Sequence, residues 1–177
     1  MSCKNDTKTR SELQTIYTAI KTIHAPDKRI ELFDIQFNTV NNTLILEGET
    51  TSKKAFYILL DSLNNRKLNY VNKVRILPDS IVENKQFAIA RNSVINIRSK
   101  PKHAAELGTQ GLLGMPLRVL DKKGDFYRIQ TPDNYISWVD KGGITRMNKE
   151  KFENWNQHKK IIFIKNFGYV YADKNEN

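Results

Sequence analysis

A single cysteine in 177 residues excludes an internal disulfide, and without companion cysteines it excludes a thiolate zinc cage as well. No apolar run approaches the roughly 20 residues that a helix needs to cross a bilayer. Glycine is sparse at 8 residues, and none of them builds a GxGxxG or phosphate-cradling loop. The three histidines, His24, His103 and His158, include no pair at metal-ligand spacing, so neither metal nor cofactor is expected. A cysteine nucleophile needs a histidine base and a third group to orient it. Cys3 lies in a polar stretch, and no catalytic residue is assigned.

What is present is positive charge, and it is unevenly placed. The net charge is +10; residues 1–80 carry 12 Lys and Arg against 9 Asp and Glu, and residues 81–177 carry 17 against 10. The basic excess of the second half favours anionic partners, whether nucleic acid, acidic lipid or the carboxylate-rich stem peptides of peptidoglycan. Nucleic acid is disfavoured, because no basic stripe is interleaved with aromatics as single-strand binding requires.

The opening Met1-Ser2-Cys3, followed by Lys4-Asn5-Asp6-Thr7-Lys8-Thr9-Arg10, resembles the start of a mature bacterial lipoprotein. In that class a small residue precedes a lipidated cysteine and a hydrophilic tether follows. The likeness implies lipidation at Cys3, a flexible tether over 1–10, and a Met1 that stands where a signal segment ended.

Residues 11–25 carry Leu13, Ile16, Tyr17, Ile20 and Ile23 at helical spacing, with Ser11 as a capping side chain and Pro26 as the stop. Residues 29–39 alternate as a strand, with a bulge expected at Phe33-Asp34, and Asn41-Asn42 signals a hairpin turn into a partner strand over 43–49. Thr51 or Ser52 can cap a helix with Ala55, Phe56, Leu59, Leu60 and Leu63 on its apolar face, and 69–77 supplies a last strand. The stretch Thr43-Leu44-Ile45-Leu46-Glu47-Gly48-Glu49-Thr50-Thr51-Ser52 resembles the strand-turn-helix passage of the BON domain of bacterial envelope proteins. That likeness implies an α-β-β-α-β domain over 11–80 that associates with phospholipid or envelope proteins.

The second half changes to short apolar runs between Gly, Pro and Asp, which reads as a small barrel or sandwich. Strands are expected at 87–90, 94–98, 108–112, 116–122, 126–130 and 136–140. Ile97, Val119, Ile129 and Val139 fit inward positions, and Gly114 and Gly124 suit turns. Asn96-Ile97-Arg98-Ser99-Lys100-Pro101, Leu113-Gly114-Met115-Pro116-Leu117-Arg118-Val119-Leu120, Gly124-Asp125-Phe126-Tyr127-Arg128-Ile129 and Ile136-Ser137-Trp138-Val139 are similar, in order and spacing, to the motifs of bacterial SH3 domains. The sequence departs from them with Phe126 where tryptophan is usual and Ser137 where glycine is usual. The whole is thus expected to be α+β: a BON-like domain, a bacterial SH3-like barrel over 84–146, and a helix and strand over 147–177 opening an incomplete second barrel.

The run from Thr131 through Tyr135 and Trp138 to Asp140, with Met147 to Trp155, further resembles the N-terminal region of NlpC-type cell-wall cysteine peptidases of Bacteroides-like bacteria, without their catalytic domain. Those enzymes are γ-D-glutamyl-L-diamino acid endopeptidases acting on stem peptides with a free amine. The likeness implies a periplasmic or envelope-bound binding module whose partner is a stem peptide or a peptidase domain. Asp133, Tyr135 and Asp140 are its expected ligand contacts, because carboxylates near a phenol suit an ammonium group. Trp138 is a core or groove-floor residue, and Arg98 a brace for its loop. Two alternatives stand beside this: the regulatory half of such an endopeptidase, and phospholipid or envelope-protein binding through the BON-like domain.

Overall fold

Helix α1 (Cys3–His24) opens the chain in the computed structural model, which describes residues 3–41, 43–164 and 168. No glycine or proline precedes Pro26 to break it. The stretch expected to be a flexible tether is therefore helical from Cys3 onward. Ser11 lies inside the helix rather than capping it, and its carbonyl accepts the Thr15 hydroxyl at 3.0 Å.

Strands β1 (Phe33–Val40) and β2 (Thr43–Thr50) pair antiparallel, and β3 (Tyr70–Ile76) returns parallel to β2 after helix α2 (Lys53–Asn65). The β1–β2 register runs unbroken from Phe33↔Thr50 to Val40↔Thr43, so the expected bulge at Phe33-Asp34 is absent. Residues before Phe33 form instead a turn, in which Ile30 and Glu31 donate to the Asp27 carbonyl. The hairpin closes at 41–42, where Asn41 takes φ 47°; Asn42 lies outside the described residues. Ser52 sits at the N-terminus of α2 without a capping side-chain bond, and the hydroxyls before it tie the strand: Thr51 accepts from the Leu32 amide and Thr50 donates to the Leu32 carbonyl, both at 2.9 Å.

The two helices and the sheet share one core, with Leu13, Tyr17 and Ile20 facing Phe33, Leu46, Phe56 and Leu59. Tyr17 stacks on Phe33 at 5.3 Å and donates its hydroxyl to the Phe33 carbonyl at 2.7 Å, so its polar tip is satisfied inside the apolar layer. Gly48 takes φ 131°, and a Cβ there would lie 2.0 Å from the Asp34 carbonyl oxygen of the neighbouring strand. Only glycine permits that backbone approach.

A second, seven-stranded sheet follows: β4 (Phe87–Ala90), β5 (Val94–Arg98), β6 (Leu107–Leu112), β7 (Pro116–Lys123), β8 (Phe126–Gln130), β9 (Ile136–Asp140) and β10 (Ile144–Met147), in the order β10-β4-β7-β8-β9-β5-β6. The sheet curls so that β10 at one edge shares a core with β5, next to the other edge: Gly143, just before β10, would place a Cβ 3.1 Å from Ile95 of β5. Ile97, Val119, Ile129 and Val139 all point into this core, as their alternation required. Four of the six expected strands coincide end to end with those observed, and β10 is an additional one. The buried Ser137 donates its hydroxyl to the Arg98 carbonyl, which uses the place where glycine was expected.

Helix α3 (Lys149–Gln157) lies against β4 through Phe152, which stacks on Phe87 at 4.9 Å and has Trp155 6.0 Å away on its own helix. The strand expected at 161–164 does not form: Ile161, Ile162 and Ile164 are more than 80% exposed and have no strand partner among the described residues. Apart from Gly168, the strand expected over 167–172 lies outside the described residues. Among the described residues three α-helices accompany ten strands, and the fold is α+β.

Candidate functional site

The outer face of the second sheet is where the two modules meet. Strand alternation sends Ile97, Ile129 and Val139 inward, so their neighbours Arg98, Arg128 and Trp138 project outward, and register sets Arg98 and Arg128 on either side of Trp138. Strict alternation would turn Asp121 inward with Val119. A bulge between these residues inserts Leu120 and brings Asp121 opposite Arg128 on the outer face. The carbonyl of Leu120, released from the ladder, accepts the Asp79 amide at 2.8 Å.

The first module brings Glu49 from β2 and Arg75 from β3 to this face. Arg75 reaches Glu49 at 2.9 Å, Asp121 at 2.6 Å and Asp79 at 3.2 Å, and Arg128 bonds Glu49 from the other side. Burial pushes the Glu49 carboxyl up, but the hydrogen bonds from Arg128 and Arg75 outweigh it and hold the group below the ordinary glutamate value. The hydrogen bond to Asp121 is the main reason that Arg75 is held charged beyond its ordinary range, against the opposing effect of burial. Asp121 itself is only 4% exposed, and its second oxygen accepts the Lys122 amide at 2.8 Å.

Backbone bonds extend the junction. The Ile136 amide donates to the Arg29 carbonyl at 2.6 Å, and the Gln130 side chain to the Ile30 carbonyl at 3.1 Å. The turn that offers these carbonyls is pinned by a two-pronged Arg29–Asp27 pair, whose hydrogen bonds lower the Asp27 carboxyl to about 2.

A cleft of about 400 Å³ opens where the modules join. Trp138 and Pro101 give it apolar lining, Glu49 and Arg75 charged lining, and Lys122 and Lys123 also line it. The guanidinium of Arg128 covers the Trp138 ring at 4.7 Å from its centroid. Arg98 donates to the Ala105 carbonyl at 2.8 Å and so braces the loop that carries Pro101, the role expected of it.

The remaining expected contacts do not assemble into one site. Asp133 and Tyr135 lie before β9 and Asp140 at its far end, about 16 Å from Tyr135 at the usual rise per strand residue. Asp133 accepts the Thr131 hydroxyl, and the Tyr135 phenol packs over Gly108, where a Cβ would be 2.6 Å from its oxygen. Tyr135 is thus half-buried against the core rather than a surface aromatic. Asp140 accepts the Gly142 amide at 2.7 Å, with His103 at 3.6 Å. Cys3 begins α1. Sequence reasoning missed Glu49, Arg75, Asp121 and Arg128. A carboxylate directly after Val119-Leu120 was the one local hint.

Residues 97–144 match the family described as the bacterial dipeptidyl-peptidase SH3 domain. The match spans the cleft wall formed by Pro101, Asp121, Arg128 and Trp138, and leaves Glu49 and Arg75 outside it. No curated protein matches the chain.

Proposed function

We propose that this chain is a non-catalytic cell-envelope module that recognises peptidoglycan stem peptides in the junction cleft. The observation that carries this reading is that the peptidase-associated match contains the aromatic lining of a cleft that cationic residues also line. Stem peptides are small and rich in carboxylates, and the second half of the chain is the more basic. A cleft with a single aromatic floor buries little of such a ligand, so affinity is weak when no further domain covers it.

Within this proposal the chain sits in the periplasm or envelope, held to the membrane by acylation of Cys3, and a cell-wall peptidase is the natural neighbour that uses the captured peptide. The family description favours that neighbour over phospholipid.

Titration of the full chain with a free-amine muropeptide tests the reading by NMR. Shifts are expected on Trp138, Arg128 and the 99–105 loop at millimolar concentration, with no hydrolysis at any pH. Shifts scattered over lysines that vanish in moderate salt would reduce the interaction to generic charge attraction and overturn it.

A further inference from the structure

We infer that the junction cleft reads the carboxylate end of a peptide and not its amine end, an inference that rests on the stem-peptide reading above. The charges at the cleft are already partly spent. Arg75 and Arg128 are held by Glu49, Asp121 and Asp79, two cations against three anions. An incoming ammonium would have to displace a guanidinium from a carboxylate that already accepts it. Lys122 and Lys123, by contrast, make no ion pair among the described residues. Lys123 shares the outward face with Asp121 and Arg128, since it pairs with Phe126 two residues along the same ladder. They turn the local excess of one negative charge into one positive.

Trp138 supplies the second element. Its ring face is taken by Arg128, which leaves the indole edge. The indole N–H has no hydrogen-bond partner among the described residues, and these contain no buried side-chain donor without one. The N–H of this otherwise buried residue is therefore not sealed from solvent, and Trp138 lines the cleft. Among the described residues, an unpartnered indole donor and two lysines without ion pairs, all on residues that line one cleft, match a carboxylate, which accepts on both oxygens and carries the compensating charge.

The test follows the Trp138 indole N–H resonance of the full chain, assigned with Trp155→Phe, during titration with L-alanyl-γ-D-glutamyl-L-lysine. Three forms are compared: the free acid, the N-acetyl acid, and the peptide with every carboxylate amidated. The two acids are expected to shift this resonance with equal affinity, and the amidated form to bind about tenfold more weakly or worse. Lys123→Ala should weaken the acids about three- to fivefold and leave the amidated form unchanged. Equal affinity of acid and amidated forms, or loss of binding on N-acetylation, would overturn the inference while leaving stem-peptide recognition standing. Acetate alone separates the remaining cases. A Trp138 shift with acetate but with no peptide keeps the carboxylate site and removes the stem peptide as its ligand; silence from acetate and peptide alike removes both.

Discussion

At Gly48 and Arg75 a single side chain decides whether a module folds or docks. Gly48→Ala sets a Cβ against the Asp34 carbonyl in a conformation that L residues avoid. Strain and overlap together should cost about 3 kcal/mol or more, read as a fall in the urea midpoint of the chain. Arg75→Ala removes the group that pairs with the buried Asp121 and with Glu49. The expected loss is about 2 kcal/mol, moderated because Arg75 is itself half-exposed. Lys73→Ala on the same strand breaks only an exposed pair with Glu47, and a change below about 0.5 kcal/mol is expected. Equal losses in the two variants would show that Arg75 acts as a surface charge. Gly48 stands in a sequence motif together with Glu47 and Glu49, but the motif says nothing of Arg75, whose partners are not local. Asp121 lies 46 residues from it, and Arg128 lies 79 from Glu49, separations at which no periodic pattern connects charges. Trp138 and Arg98 were legible because strand motifs place them beside inward-pointing residues; Arg128 stands in such a motif too, but its partner Glu49 belongs to the other module.

The elements divide by how much of their stability is local. Strands β5, β8 and β9 could be drawn to the residue because turn residues bound short alternating runs, and each inward position found a place in the core. The run Ile161-Ile162-Phe163-Ile164 has a strand's composition yet forms none, since a strand is completed by a neighbour and not by its own propensity. Four-residue β10 was missed for the opposite reason: Ile144 to Met147 is too short to show a period, and its pairing with β4 defines it. In α1 the sequence reading stopped at a capping serine, although nothing upstream breaks a helix. Helix α3 has no buried residue and depends on the Phe87–Phe152 stack for its attachment. Phe152→Ala should therefore release it at a cost of about 1–2 kcal/mol. Trp155 emission should shift to longer wavelength while the amide signals of β7 to β9 stay in place. Collapse of those signals would mean that α3 supports the core.

For the molecule as a whole, the junction couples two cores through groups that titrate. Glu49 has a folded value below its ordinary 4.5, so its contribution is complete above that value and is lost as pH falls through the lowered one. Calorimetry should show one transition at neutral pH that separates into two on acidification through this window; two transitions at neutral pH would mean the modules are uncoupled. The helical start of the chain has a mechanical consequence at this scale. From Cys3 to Leu13, the first described residue buried in the core, α1 runs ten residues, about 15 Å at the usual rise per residue. An acyl group on Cys3 would be carried on a stiff arm, and the cleft would stand at a set height above the bilayer instead of sampling a range of distances. Under the proposed anchoring, removing one turn of α1 would lower that height by about 5 Å, and the length of this helix would set how deep into the wall the cleft reaches.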